Sequence, residues 1–360
     1  MEKIELKGAD RSRLEEIAIE CGQPAYRGRQ LFNWLYTRNV SSFDEMTNLP
    51  KDFRHSLAVK TALSSVELAR RQVSSRGDAE KFLFRLHDGR HIESVLMRNV
   101  EEDGRKRLTL CISSQVGCPI DCKFCATGTM GLVRNLTAGE MVDQILAVSR
   151  LSGERVTNVV VMGMGEPFLN YENLIAACEL LCDEEGTNLA QRRIVISTSG
   201  LIPNILRFTG EEHKYRLAIS LNATTDEVRT RLMPLNGKYP IARLLDAARA
   251  YVGASGNRIT FEYVLMAGIN DTLDDAARLK NLLAGIDCKV NLIPFNSVGG
   301  TFQRPSFHVI EEFFNRMRSA PFPVTIRWSK GDDIDAACGQ LATKEEEEVR
   351  ERVGEMETGR

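Results

Sequence analysis

The sequence has no apolar run that approaches the ~20 residues of a membrane-spanning helix. Its first residues, MEKIELKGADRSR, lack the apolar segment of a secretory signal peptide, so we expect a cytoplasmic protein with no membrane partner. It also lacks an excess of basic residues, because 47 Lys and Arg stand against 49 Asp and Glu. Any binding of nucleic acid would therefore need a local basic patch.

Cysteine is well represented, with nine residues along the chain. In a cytoplasmic protein these thiols are expected to be reduced, and a tight group of them indicates a metal centre rather than structural disulfides. Cys178 and Cys182 lie four residues apart in the helical-looking run AACELLC, and we interpret both as packing residues. Cys21 and Cys288 receive the same interpretation.

The first part of the chain, residues 1–65, has helical patterns such as SRLEEIAIECG, which ends at a glycine. The run RGRQLFNWLYTR surrounds an apolar stripe with Arg27, Arg29 and Arg38. The simpler interpretation is a small helical bundle with a solvated basic face. The alternative is an accessory domain that binds RNA.

Three further regions follow. Residues 66–106 are predicted to be a β-rich extension, because an Asp-Gly pair separates two alternating runs in KFLFRLHDGRHIESVLMR and predicts a hairpin. Residues 107–341 form the predicted core. Residues 342–360 are a charged tail, for which we expect a solvated helix or a frayed end.

The core shows a regular alternation of strand-like and helical stretches. Six runs have the character of parallel strands: RLTLCIS, TNVVVMG, RRIVIST, YRLAISL, ITFEYVL and KVNLIPF. A short seventh run, PVTIRW, follows them. Six βα repeats predict an α/β fold with a parallel sheet, either open or barrel-like, and fall short of the eight repeats of a full barrel.

Polar residues and glycines follow one predicted strand after another. The stretches are GMGEP (163–167), STSG (197–200), SLN (220–222) and PFN (294–296). The carboxyl ends of parallel strands meet at one edge of the sheet, where α/β proteins bind their ligands. The repeated pattern therefore predicts a ligand site at that edge.

Three cysteines after the first core strand, Cys118, Cys122 and Cys125, are spaced C-x3-C-x2-C. Zinc sites usually have four ligands in two close pairs, whereas here three thiols lie on one loop. An iron–sulfur cluster held by three thiolates would keep one iron open for a ligand. The spacing therefore favours an iron–sulfur cluster, and a zinc site remains the alternative.

The same spacing, with Phe124 directly before the last cysteine, resembles the signature of the radical S-adenosylmethionine (SAM) superfamily. Further stretches resemble its RlmN/Cfr group of RNA methyltransferases: CISSQVGCPIDCKFCATGTMGLVRNLTAGE, GMGEP, STSG, LAISLNA, LIPFN and DAACGQL. The resemblance runs from about residue 90 to residue 341, and the helical first region also fits. It implies a partial (β/α)6 TIM-like barrel with a [4Fe-4S] cluster that binds SAM at its open iron.

The resemblance also implies a reaction. It points to methylation of carbon 2 of an adenosine in 23S rRNA, at the peptidyl transferase centre, and in some members also in the anticodon loop of tRNA. Two SAM molecules per turnover and an electron donor such as flavodoxin or ferredoxin are implied with it. The alternatives are a Cfr-like carbon 8 methyltransferase, a radical SAM enzyme that acts on protein, and a zinc-cluster RNA-binding protein without catalysis.

Individual residues receive roles from the resemblance. Cys338 is implied to carry the methyl group, Cys111 to release the product through a transient disulfide, and Glu93 to accept a proton. Without the resemblance, the pattern predicts that Cys111 is a buried strand residue and that Glu93 faces solvent. Gly339 and GDD (331–333) indicate a loop around Cys338. The residues that match the SAM contacts are Gly165, Glu166, Ser197, Ser220, Leu221, Asn222 and Asn296. Some members of the group carry His where Asn222 stands.

Overall fold

The computed structural model describes residues 3–101 and 103–342, and the predicted tail beyond residue 342 lies outside the described residues. The strands are β1 (Ile4–Glu5), β2 (Thr61–Ala62), β3 (Val66–Val73), β4 (Ala79–Leu86), β5 (His91–Val100), β6 (Lys106–Cys111), β7 (Gln115–Cys118), β8 (Gly131–Asn135), β9 (Asn158–Val161), β10 (Ile194–Thr198), β11 (Arg216–Ser220), β12 (Ile259–Leu265), β13 (Cys288–Pro294) and β14 (Val324–Ile326). The helices are α1 (Arg11–Glu20), α2 (Tyr26–Phe32), α3 (Lys51–Lys60), α4 (Ala126–Thr129), α5 (Ala138–Ser152), α6 (Tyr171–Cys182), α7 (Ile202–Gly210), α8 (Asp226–Leu232), α9 (Ile241–Ser255), α10 (Leu273–Leu283) and α11 (Phe307–Met317). In the described part of the chain, no helix has the length and apolar character needed to cross a membrane.

A ten-stranded sheet forms the framework, in the order β14-β13-β12-β11-β10-β9-β6-β5-β4-β3. All neighbours from β6 through β9 to β14 are parallel, which gives seven parallel strands because the short run PVTIRW contributes β14. Side chains from β5 to β14 line a common cavity, so the sheet wraps around it as a partial barrel. The predicted α/β partial-barrel fold is confirmed.

The β-rich extension continues the core sheet. Strands β3, β4 and β5 form an antiparallel meander, and β5 pairs with β6 in a register that places Val95 opposite Cys111. The predicted hairpin turn is present between β4 and β5, where Gly89 has a φ of 80°. The extension is therefore joined to the barrel by main-chain hydrogen bonds along a full strand.

The first three helices form a layer whose buried apolar side chains are continuous with the core of the barrel. Leu14, Phe32 and Phe53 are at most 1% exposed. The short pair β1–β2 joins the two ends of this layer, and a buried ion pair between Lys7 and Asp143 joins it to α5 of the barrel. Burial lowers the pKa of Lys7, and the charge of Asp143 opposes that shift.

Asp143 also holds the segment that leads from the helical layer into β3. Its Oδ2 accepts hydrogen bonds from the backbone N–H groups of Ser65 at 2.7 Å and Val66 at 3.2 Å. One carboxylate thus satisfies a buried cation and two main-chain donors. Its loss would leave all three unpaired in the interior.

We predict that Asp143→Ala lowers the free energy of unfolding by about 3–5 kcal/mol, because removing one partner leaves a buried charge uncompensated. Urea denaturation of the purified protein measures the change. The control is Asp246→Ala, which removes an exposed carboxylate that pairs with Arg249 on the surface of α9. Equal losses in the two variants would contradict a structural role for Asp143.

Candidate active site

The three-cysteine loop begins where β7 ends. Cys118 is the last residue of β7, opposite Gly131 of β8, and Cys122 and Cys125 lie in the turn that leads into α4. All three are free thiols, and burial raises the pKa of each, that of Cys118 to about 12. Three poorly solvated thiols on one loop are suited to binding a metal centre, which would hold them as thiolates.

A cavity of about 160 Å³ opens beside this loop at the carboxyl ends of the parallel strands. Its walls contain the three cysteines and five of the seven residues predicted to contact SAM: Gly165, Glu166, Ser197, Ser220 and Asn222. The other two do not line it. Leu221 is fully buried in the core, and Asn296 contacts the Cys338 loop instead.

The GMGEP loop is fixed tightly against β7. Gly165 has a φ of 104°, and a Cβ atom there would lie 2.6 Å from the Cβ of Gln115, so glycine is required. Glu166 uses both carboxylate oxygens within the protein. One accepts bonds from the N–H and hydroxyl of Ser199, both at 2.7 Å, and the other accepts from Phe168 N–H at 3.1 Å. Glu166 therefore positions the wall of the cavity.

Two further polar residues join the strand ends, and the sequence reasoning did not select either of them. Asn270 donates to the carbonyl of Asn222 at 2.7 Å, while Asn222, at a φ of 58°, accepts from Val264 N–H at 2.9 Å. Arg229 is fully buried and donates to the main-chain carbonyls of Ser199, Ser220 and Leu221 at 2.7, 3.1 and 3.0 Å. The stretches GIND (268–271) and RTRLMP (229–234) contain them and could have served as the signal.

The Cys338 loop follows β14 and is docked against the cysteine loop. The N–H of Ala126 donates to the carbonyl of Gly339 at 2.8 Å, and Asn296 Nδ2 donates to the carbonyl of Cys338 at 3.1 Å. Gly339 has a φ of 87°, as expected for a turn. Cys338 consequently lines the cavity that also contains Cys118, Cys122 and Cys125.

A second and larger cavity, of about 690 Å³, occupies the interior of the barrel. Cys338 lines it as well, and so does Cys111 at the end of β6. Burial raises the pKa of Cys111 to about 12, Cys338 adds to the shift, and the guanidinium of Arg327 opposes it. The structure thus brings the two distant thiols and one cation to the same space.

Glu93 is buried, which contradicts the solvent-facing interpretation from its residue pattern. It is 4% exposed, lies 3.1 Å from Lys81 Nζ, and accepts a hydrogen bond from Ala342 N–H at 3.0 Å. Burial raises the pKa of Glu93, and Lys81 opposes that shift. Glu93 lines neither cavity, because the end of the Cys338 loop covers it.

Comparison with known proteins identifies the family. The chain matches the Radical SAM superfamily over residues 112–279 and the ribosomal RNA large subunit methyltransferase N-terminal domain over residues 4–63. The dual-specificity RNA methyltransferase RlmN of Geobacter sulfurreducens is 48% identical over 342 residues, which cover 95% of this chain and 92% of the relative. The chain belongs to the RlmN family. The RlmN of Geotalea uraniireducens is 45% identical and covers 98% of this chain and 100% of its own.

A solved structure agrees with this RlmN-family assignment. The crystal structure of a radical SAM methyltransferase from Sphaerobacter thermophilus superimposes with a TM-score of 0.89 at 47% identity, over 94% of this chain and 99% of that one. Membership of the radical SAM superfamily implies a [4Fe-4S] cluster and SAM.

The residues of this RlmN-family site fit both cofactors. Within residues 3–101 and 103–342, no three His, Cys, Asp or Glu side chains are arranged to hold a single metal ion. An iron–sulfur cluster instead distributes its thiolate ligands over separate iron atoms, which suits three cysteines spread along a cavity wall. Cys118, Cys122 and Cys125 are the residues that would hold it, and the rest of the cavity would receive SAM.

We predict that Cys122→Ala abolishes bound iron, since a cluster needs its thiolate ligands. Iron content per chain and absorbance in the visible range, measured after anaerobic purification, test this. Cys182→Ala is the matched control, because it removes a thiol from α6, away from the cavity, and should keep the full iron content. Cys122→Ala with wild-type iron would reject the ligand assignment, and colourless wild-type protein with bound zinc would reject the cluster.

Proposed function

We propose that this chain methylates carbon 2 of an adenosine in 23S rRNA, at the peptidyl transferase centre, and of an adenosine in the anticodon loop of tRNA. The observation that carries the proposal is that Cys111 and Cys338 line one cavity, and that Cys338 also lines the cavity of the three-cysteine loop. The names of the relatives, which are dual-specificity RNA methyltransferases, support an RNA substrate.

Adenine carbon 2 is a poor nucleophile, so the protein has to bring the methyl group to it by an indirect route. When bound, the cluster and two SAM molecules per turnover supply a sulfonium methyl group and, through one-electron cleavage, a hydrogen-abstracting radical. A thiolate is a far better methyl acceptor than an aromatic carbon, and Cys338 is the thiol next to the cluster loop. Cys338 therefore receives the methyl group on its sulfur.

The remaining steps move electrons between the two cysteines and the base. Methyl-Cys338 loses one hydrogen atom, and its carbon forms a bond to carbon 2 of adenine. The adduct then gives up the carbon 2 proton and one electron, for which the cluster, when bound, would be the acceptor. The Cys111 thiolate attacks the sulfur of Cys338, so the sulfur–carbon bond breaks and its electron pair stays on carbon, which takes a proton and becomes the product methyl group. Two electrons from a reductant, such as flavodoxin or ferredoxin, restore the thiols.

Two buried side chains support these steps. Arg327 is the cation that favours the thiolate of Cys111, whose pKa burial raises. Glu93 is the proposed acceptor of the carbon 2 proton, and burial raises its pKa, which makes its carboxylate a stronger base. Its hydrogen bond to Ala342 has to open for that role, so the mechanism includes movement of the Cys338 loop.

The helical layer of residues 1–65 is proposed as an accessory RNA-binding domain beside a catalytic core of residues 107–341. Arg29 is 71% exposed although it pairs with Glu15, and the guanidinium of Arg38 lies over the ring of Trp34. Exposed arginines beside an aromatic ring are suited to phosphate contact and base stacking. This proposal places the reaction in the cytoplasm, where the RNA substrates are.

The alanine variants of the two proposed catalytic cysteines are expected to fail at different steps of the reaction. Cys111→Ala should load the methyl group and add to the base but fail to release it, so it should accumulate a protein–RNA crosslink through Cys338. Cys338→Ala should give neither crosslink nor methylated RNA. A denaturing gel with and without nuclease, followed by nucleoside mass analysis, measures both.

The control for this experiment is Cys288→Ala, which removes a buried thiol from β13 of the same sheet and should turn over normally. Normal turnover of Cys111→Ala would contradict the role of Cys111 in releasing the product. A crosslink in Cys338→Ala would show that another residue carries the methyl group. The position of the methyl group on the product adenosine distinguishes methylation at carbon 2 from methylation at carbon 8. Methylation at carbon 8 would replace the proposal with the Cfr-like alternative.

A further inference from the structure

The large cavity has two chemically different ends. Along β6, alternate residues Arg107, Thr109 and Cys111 line it, because side chains of a strand alternate between its two faces. At about 3.3 Å per residue, Arg107 lies roughly 13 Å along the strand from Cys111. The thiol end adjoins the cluster loop, and the other end opens at the amino ends of the parallel strands.

That amino-terminal mouth carries three cations from three different strands. Arg107 is the second residue of β6, Arg216 the first of β11 and Lys289 the second of β13, and all three are exposed residues that line the cavity. Among the described residues, none of the three has a side-chain hydrogen bond or an ion pair. Although Lys289 reaches solvent, desolvation by the cavity wall lowers its pKa, Glu262 opposes the shift, and the charges of Arg216 and Arg107 add to it.

The neighbouring carboxylates compensate the charge of this group only in part. Arg258, also at the mouth, already pairs with Asp287 at 2.7 Å. The carboxylate of Glu262 lies deeper, 5% exposed, and accepts a hydrogen bond from Asn291 at 2.9 Å. Three like charges around one opening, none of them in an ion pair with a carboxylate of the described residues, favour the binding of an anion with several charges.

An aromatic pair lies farther along the cavity, past the carboxyl end of β14 and at the start of α11. Trp328, which is 48% exposed, lines the cavity and stacks on Phe307, which is 66% exposed, with ring centroids 5.9 Å apart and planes 13° apart. The cavity thus has cations at its amino-terminal mouth and an exposed ring farther along its wall. Proteins bind single-stranded nucleic acid with such groups, since bases stack on aromatic faces and cations track the phosphates.

We propose that this mouth is the entrance for the RNA: Arg107, Arg216 and Lys289 bind phosphates of a single-stranded segment, and one unstacked nucleotide extends from them to Cys111 and Cys338. The depth of the cavity fits this arrangement, because a nucleotide measured from phosphate to base edge has a length of the same order as the separation of Arg107 from Cys111. RNA would thus enter opposite the SAM-binding strand ends. The inference rests on the proposed function and adds the path of the substrate.

The test compares two triple variants of the full chain with equal loss of charge. The first is Arg107→Gln with Arg216→Gln and Lys289→Gln. The second, the control, is Arg243→Gln with Arg249→Gln and Lys280→Gln, on the outer helices α9 and α10. The probe is a fluorescent RNA hairpin with unpaired adenosines in its loop, and its binding is measured by anisotropy at several salt concentrations.

The mouth variant should bind roughly tenfold or more weakly than wild type, and the slope of log affinity against log salt should fall by about 0.7 for each lost contact, about 2 in all. The control variant should match wild type. A blunt RNA duplex should compete poorly for wild-type protein. An unchanged affinity and slope in the mouth variant, or equal competition by the duplex, would overturn the proposal.

Two further measurements keep the outcomes separable. The iron content and melting temperature of the mouth variant report on its fold. If it does not fold, the three single variants replace it, and each is expected to lower the slope of log affinity against log salt by about 0.7. Wild-type protein that binds the hairpin as described but never methylates it would reject the proposed function and leave the entrance intact. If wild type and the mouth variant both methylate RNA with the same KM, the proposed entrance is rejected and the proposed function stands.

Discussion

The position of β6 in the sheet is the constraint on which the site depends. This strand pairs antiparallel with β5 and parallel with β9, so it joins the meander to the barrel and fixes where the parallel strands begin. Its inward side chains include Arg107 at one end and Cys111 at the other, and its carboxyl end leads into the loop that carries Cys118. A single strand therefore aligns the cation-lined mouth, the thiol of Cys111 and the three-cysteine loop along one axis.

The interior of the barrel is costly to fold, since it contains charged groups where a core made for stability alone would be apolar. Arg229 is fully buried, and neutral acceptors at the strand ends satisfy its guanidinium. Glu262 keeps one carboxylate oxygen buried without a hydrogen-bond partner among the described residues. Such groups are retained where a ligand or reaction needs them, and the apolar packing of helices on the outside of the sheet compensates for their cost.

The alternation of apolar runs was sufficient to predict the parallel strands, because buried strands have a strong compositional signal. The polar residues and glycines that follow successive strands likewise indicated the edge of the sheet at which the smaller cavity opens, and Gly165 and the three cysteines line it. Partners distant in sequence could not be predicted. Nothing near Glu93 indicates that Ala342 and Lys81 would bury it, and nothing near Arg229 indicates that it joins the ends of two strands, β10 and β11. Those contacts depend on tertiary packing, which a local pattern does not encode.

The central claim is that the methyl group reaches RNA through Cys338, and isotope tracing tests it most directly. Protein with a reconstituted cluster is incubated with a reductant, an RNA substrate and SAM whose methyl group is deuterated, and samples taken over time are digested for peptide and nucleoside mass spectrometry. The account predicts that deuterium appears first in the peptide that contains Cys338 and later at carbon 2 of adenosine, in a methyl group that has lost one deuterium and gained one hydrogen. A methyl group transferred with all three deuterium atoms, or labelled adenosine formed while the Cys338 peptide never carries label, would contradict it.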